Sequence, residues 1–244
     1  MKKLFVYVLV VLFIIPSVVL GYEAEKYSID IPEGYEATLI PNSFTDENGN
    51  NINVQLTEET SGTVEFTEAY LDALTKELTD NIDEYREEVK NQLVEQYNGQ
   101  VEESVIEGVV QSIQYKEFIK KEIITFGQDD YLGFHYISDI SILDGDSYTD
   151  TYQTVYNDYV YTITVTSTDL ETFNSDAVKK AIESFKINGY VAGSEEAKLI
   201  DTNTNRNEKS STDKFFYYGA IVVAVVGIIG MISKAKSGKK KDEE

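Results

Sequence analysis

Four runs of β-branched and aromatic residues constrain this chain more than any other feature: KEIITF, YLGFHYISDISIL, SYTDTYQTVY and YVYTITVTST. Gly127-Gln128-Asp129-Asp130, Asp144-Gly145-Asp146 and Asn157-Asp158 separate them, and each spacer has the composition of a tight turn. The pattern predicts an antiparallel meander of four strands. On its last two strands Tyr148, Tyr152 and Tyr156 share one parity, as do Tyr159, Tyr161, Ile163 and Val165. Rows of this kind serve as cross-strand packing or as a ligand platform, and packing is the commoner use.

The flanking segments supply partners for that sheet. Tyr27, Ile29 and Ile31 alternate with polar residues as a half-buried strand does, and Pro32-Glu33-Gly34 stops it. Asn48-Gly49 marks a hairpin turn whose return strand alternates Ile52, Val54 and Leu56. Asp46, Asn48 and Asn50 superficially imitate a calcium loop. The glycine falls at the fourth position rather than the sixth, and Thr57 stands where the loop needs a glutamate. Leu71, Leu74, Leu78, Ile82, Tyr85, Val89 and Leu93 then form one stripe at helical spacing. Thr67 is the expected N-cap, with Phe66 and Leu71 as a hydrophobic staple. Thr79-Asp80-Asn81 offers a break within the helix, and Asn98-Gly99 its end. Residues 101–121 give a mixed signal. The last element is a short helix capped by Asn174 or Ser175, burying Val178, Ala181, Ile182 and Phe185. The fold class is therefore α+β: an antiparallel sheet flanked by helices, an α/β/α-like sandwich.

The two ends of the chain address it. From Phe215 to Ser233 no side chain is charged. Nineteen helical residues span ~28 Å at ~1.5 Å each, close to the hydrocarbon thickness of a bilayer. Tyr217 and Tyr218 suit one interface, and Lys234, Lys236, Lys239, Lys240 and Lys241 follow the other. The positive-inside rule places that tail in the cytoplasm. At the other end Lys2 and Lys3 precede an apolar run from Leu4 to Ile15, and Pro16 precedes small residues ending at Gly21. This is the layout of a signal peptide over residues 1–21; an uncleaved signal anchor is the alternative. The expected organisation continues with an extracytoplasmic domain over 22–189 and a polar stalk over 190–214. A transmembrane helix over 215–233 and a cytoplasmic Lys-rich tail over 234–244 complete it.

Between the ends, 13 Lys/Arg face 40 Asp/Glu, and the whole chain carries a net charge of −22. A field of that sign disfavours nucleic acid and anionic surfaces. Solvation of the surface accounts for it more simply than a dedicated cation-binding face. The chain has no cysteine, so thiol catalysis and thiolate metal sites are excluded. The domain also lacks an Asn-x-Ser/Thr acceptor, and the two features together favour a bacterial surface protein, single-pass in the plasma membrane.

YSIDIPEGY resembles the opening strand of the Mog1/PsbP-like domains, with Tyr35 where tryptophan is common, and VYTITVTSTDLETFNSDAVKKAIESFKI resembles their closing strand and helix. The resemblance covers about residues 26–187. Residues 66–121 look longer than the family norm, and a membrane span replaces the family's lipid or free form. What it implies is a central antiparallel sheet flanked by helices and a binding or assembly role, not a reaction.

The search for chemistry ends without a constellation. His135 is the one histidine, on a strand with the parity of Tyr131, Gly133 and Ile137. It reads as a residue packed among tyrosines, since no nucleophile elbow accompanies it and one histidine makes a poor zinc site. Asp144, Asp146 and Asp150 offer hard oxygens for Ca²⁺, against the simpler reading of a turn. Ala220, Ala224, Gly227 and Gly230 give the span a small-residue face suited to helix association, leaving the oligomeric state open. No catalytic, cofactor-binding or metal residue is assigned. The expected function is a non-enzymatic, membrane-anchored module binding a protein or envelope component. A hydrolase with paired carboxylates and a Ca-responsive adhesion or sensing domain are the alternatives.

Overall fold

The computed structural model describes residues 20–38, 41–58, 64, 66–80, 82, 83, 86, 87, 90, 91, 94, 102–112, 114–142 and 145–192. Among these, no helix is long and apolar enough to cross a membrane. The signal segment up to Val19, the stalk from Gly193, the span over 215–233 and the cytoplasmic tail lie outside the described residues.

The meander forms as its turns dictate. Strands β6 (Gln114–Phe126), β7 (Tyr131–Ile142), β8 (Gly145–Tyr156) and β9 (Tyr159–Ser167) pair antiparallel in sequence order. Asn157 and Asp158 both take positive φ, 50° and 61°, the backbone of the two-residue turn that matches strand twist. The turn between β7 and β8 is tighter than expected. Ile142 pairs with Gly145, so Gly145 and Asp146 belong to β8.

On the far side of β9 the sheet continues through β5 (Asn51–Glu58), β4 (Ser43–Thr45) and β3 (Glu36–Ala37), giving the order β3-β4-β5-β9-β8-β7-β6. The opposite edge, β6, is long, and it starts at Gln114 inside the stretch whose sequence signal is mixed. Lys116, Lys120 and Lys121 line it. Register shifts between Tyr115 and Glu117 and between Phe118 and Lys120 twist it, devices that discourage another strand from adding.

A second, smaller sheet has the order β1-β2-β10, from β1 (Leu20–Glu23), β2 (Tyr27–Ile31) and β10 (Lys186–Ile187). Tyr27, Ile29 and Ile31 are buried and Asp30 is exposed, as their alternation requires. β2 packs against α4 (Asp176–Ser184), which follows a single turn, α3 (Glu171–Asn174). Ser175 caps α4 by accepting the Val178 N–H at 3.3 Å, and Val178, Ala181 and Ile182 turn inward.

The large sheet has two different faces. On the first, Ile52, Val54, Tyr161, Ile163, Val165 and Phe126 join β2, α4 and Phe185 in one apolar cluster. On the second, three cross-strand rows run through β7, β8, β9 and β5. They are Ser138-Thr149-Thr166-Asn51, Tyr136-Thr151-Thr164-Asn53 and Phe134-Gln153-Thr162-Gln55. Most of these side chains are uncharged and polar, yet all but the half-buried Gln55 are buried.

The chain between β5 and β6 carries α1 (Glu68–Asp80) and α2 (Glu103–Gln111). α1 lies on the second face: the Tyr70 ring stacks on Phe134, 5.5 Å between centroids, and Lys121 Nζ reaches Asp72 Oδ1 at 2.6 Å. Thr67 Oγ1 accepts the Tyr70 N–H at 3.2 Å, the expected cap. Phe66 packs against Phe134, with centroids 4.9 Å apart. Leu71 and Leu74 are buried. The side chain of Leu78 and the residue Asn81 lie outside the described set, while Ile82, Asp83, Arg86, Glu87, Lys90, Asn91 and Val94 are helical.

Candidate functional site

Strand parity sends His135 to the first face, beside Glu122 on β6 and Tyr152 on β8, its direct ladder partners. Asp150 follows two residues before Tyr152 on the same face. The imidazole Nδ1 lies 2.8 Å from Glu122 Oε1, and Nε2 lies 2.6 Å from Asp150 Oδ1. Each ring nitrogen thus has a carboxyl oxygen at hydrogen-bond distance. Tyr152 stacks on the ring at 4.3 Å and 13°, and its hydroxyl donates to Asp150 Oδ2 at 3.2 Å. Lys120 Nζ sits 2.6 Å from Glu122. The contacts run in one line: Lys120, Glu122, His135, Asp150.

Burial differs sharply along that line. The Asp150 side chain is 2% exposed and that of Glu122 36%. An acid buried to that degree needs hydrogen-bond partners, which His135 and Tyr152 supply. Partial burial pulls the Glu122 carboxyl upward, but hydrogen bonds from Lys120 and His135 outweigh it and hold the group below its ordinary value. Burial, then the Asp150 charge, pushes the Tyr152 phenol well above its ordinary value. Glu122 is the outlet of the cluster. It borders an open cleft of about 320 Å³ shared with Glu68, Leu71, Asp72, Lys121 and Ile123.

The sequence assigns His135 the parity of Tyr131, Gly133 and Ile137 and expects packing among tyrosines; in the structure one tyrosine, Tyr152, stacks on the ring. What it lacks is the pair of carboxylates, for which the signal is present but weak. Asp150 shares its parity with Tyr148, Tyr152, Thr154 and Tyr156, and an acid in such a row demands a partner once buried. Chemically the cluster offers no nucleophile. Both imidazole nitrogens are committed, and Glu122 is held ionised rather than poised to donate a proton.

The other expected site residues are dispersed. Asp150 is engaged with His135 and Tyr152, Asp146 pairs with Lys116 at 2.5 Å, and Asp144 lies outside the described residues. Asp46 closes its own turn. Its Oδ1 accepts the Asn48 and Asn50 N–H groups at 2.9 and 2.8 Å, and its Oδ2 accepts from the Asn50 amide at 2.8 Å. That turn borders a second cleft, about 480 Å³, lined by Glu33, Glu36 and Glu47 among others. Among the described residues no group of three or more His, Asp or Glu side chains is placed to hold a metal ion. The tyrosine row is packing: Tyr156 lies in the apolar cluster, and Tyr148, Tyr152 and Tyr159 pack against it.

The architecture shown is mixed α+β dominated by antiparallel sheet. No family model matches the sequence, and no curated protein does. Among solved structures, the chain is similar to the solution structure of cyanobacterial PsbP (CyanoP) from Synechocystis sp. PCC 6803. The similarity has a TM-score of 0.43 and 14% identity over 71% of this chain and 95% of that one.

Proposed function

We propose that this chain is a single-pass, membrane-anchored bacterial surface protein whose domain is a non-enzymatic binding or assembly module. Export, the C-terminal transmembrane helix, the α/β/α-like layering and the Mog1/PsbP-like assignment belong to the same proposal and rest on the sequence patterns given above. The observation that carries the non-enzymatic reading is the locked state of His135. The one imidazole in the chain has Glu122 on one nitrogen and Asp150 on the other, so both nitrogens are taken up by hydrogen-bond contacts within the fold. A hydrolase using two carboxylates needs one acid held protonated near neutral pH, and Glu122, the acid beside the cleft next to α1, is displaced the opposite way. A calcium-responsive reading loses Asp150 to the core.

Two measurements test this. Protease added to intact cells removes the domain while cytoplasmic proteins survive; a protected domain overturns the topology. Crosslinking on intact cells followed by affinity capture then yields a specific partner or envelope component. Recovery of the chain alone under several crosslinkers of different length overturns the binding role.

A further inference from the structure

The sequence holds three Asn-Gly pairs, Asn48-Gly49, Asn98-Gly99 and Asn188-Gly189, of which the second lies outside the described residues. An asparagine before glycine is the pair most open to ring closure on its own backbone, because glycine has no side chain to shield the attacking nitrogen. Asn48 and Asn188 are both exposed, but their surroundings differ. At the first pair the Gly49 N–H donates to the Asp46 carbonyl at 3.2 Å, and the Asp46 carboxylate holds the amides on either side of it. At Asn188-Gly189 the glycine N–H meets no acceptor among the described residues, and a Cβ on Gly189 would stand in open space. The Asn188 side chain is also a structural tie. Its Nδ2 donates to the Ala24 and Glu25 carbonyls, both at 3.2 Å, and so fastens the β1–β2 turn to the chain that leaves β10.

We infer that Asn188 is a site of spontaneous deamidation, and that its conversion turns the tie between the β1–β2 turn and the outgoing chain into a repulsion. The inference stands apart from the binding role. The step balances with water alone. Gly189 N gives up its proton to hydroxide and bonds to Asn188 Cγ. The Cγ–Nδ2 bond breaks, and the amide nitrogen leaves as ammonia with a proton from water. Water then opens the five-membered imide at either carbonyl, leaving aspartate or isoaspartate and a net exchange of NH2 for OH. Two features select this pair over Asn48-Gly49. The Gly189 nitrogen has no hydrogen bond to break before it is deprotonated. Its flanking amides, of Asn188 and Tyr190, bond to the Lys26 and Ile187 carbonyls, whereas those beside Gly49 hold a carboxylate that opposes a second negative charge. The two bonds of Asn188 Nδ2 are neutral and exposed, so the side chain leaves them at small cost. Once formed, the carboxylate has no N–H to give, and its oxygens meet the Ala24 and Glu25 carbonyl oxygens, acceptor against acceptor. Isoaspartate also lengthens the main chain by one carbon just before Gly189, whose carbonyl accepts the Tyr156 hydroxyl at 3.0 Å.

The test ages the full chain in detergent at mildly alkaline pH and follows both asparagines by peptide mass spectrometry, with isoaspartate scored separately. Asn188 should lose its amide about fivefold faster than Asn48, and the gap should close in urea, where the fold no longer distinguishes the two glycine nitrogens. Hydrogen exchange reads the consequence. In Asn188→Asp the amides of residues 186–190 should exchange about tenfold faster than in the unaltered chain, while those of β7 and β8 stay as they were. In Asn188→Ala, which loses the two bonds without gaining a charge, the same amides should exchange about threefold faster. An Asn188 amide that lasts as long as that of Asn48, or a gap that persists in urea, overturns the inference. So does an Asn188→Asp chain that exchanges no faster than Asn188→Ala.

Discussion

The two faces of one sheet come from the same strands and differ residue by residue. On β9, Tyr161, Ile163 and Val165 enter an apolar cluster, while Thr162, Thr164 and Thr166 face the opposite way into the polar rows. Burial is nearly equal: Ile163 and Thr164 are both 0% exposed. Depth alone therefore says little about what a surface contributes. The apolar face supplies cohesion through area removed from water, ~25 cal/mol per Å². The polar face returns much of that gain as desolvated oxygen, on the order of 1–3 kcal/mol for each group left unpaired.

The strongest challenge to this contrast is alkali. Burial raises the phenols of Tyr27, Tyr131, Tyr152 and Tyr161 on the apolar face and that of Tyr136 on the other. The folded state thus holds these protons more tightly than the unfolded chain. Their contribution is complete below pH 10 and is lost as pH rises from there toward the folded values, about 12 for Tyr161. Tyrosinate absorbance should therefore appear together with loss of β-sheet circular dichroism. Ionisation well before unfolding would mean the apolar face is looser than described.

Next in size is Asp150→Ala, which leaves both His135 Nε2 and the Tyr152 hydroxyl without their partner and, with two groups unpaired, should cost about 3–5 kcal/mol in urea denaturation. A loss under 1 kcal/mol would show that the His135 cluster is solvated. The neighbouring pair on β9 sharpens the contrast directly. Ile163→Ala should cost about 2–5 kcal/mol, whereas Thr164→Val should fall between neutral and about 1 kcal/mol stabilising. Comparable losses from both would erase the distinction between faces. Smallest is an acid limb. The Glu122 carboxyl is held below its ordinary value, so its contribution is present above about pH 4.5 and is lost as pH falls through the folded value. Glu122→Gln should flatten that limb without moving the alkaline one.

Much of this fold is legible in the sequence because it follows from local pattern. Turn pairs set the meander, parity sorted Tyr27, Ile29 and Ile31, and Thr67 and Ser175 cap the helices they precede. The polar face was not legible, for a physical reason. Alternation of Thr162, Thr164 and Thr166 with Ile163 and Val165 is the signature of a half-exposed strand, and nothing local reveals that a second layer covers the threonines. β1 and β10 escape notice because a strand of four residues, or of two, carries almost no periodicity. The His135 cluster needs strands β6, β7 and β8 in register. The Glu122–His135 pairing runs without interruption from the β6–β7 turn, the two irregularities of β6 lying beyond it, and what spacing does not reveal is which of many acids ends up buried beside the ring.

The smaller sheet decides how the domain would answer a pull. β10 is two residues long, Lys186 opposite Ser28 and Ile187 opposite Tyr27, and the chain leaves it through Asn188, whose side-chain amide holds the Ala24 and Glu25 carbonyls at 3.2 Å. Beyond it Tyr190 wedges against Tyr131 and Tyr156. Tension along the outgoing chain meets the Tyr190 wedge first and then peels β10 from its open end, one rung at a time. The long ladders of the main sheet sit behind this short latch, so it yields before they carry any load.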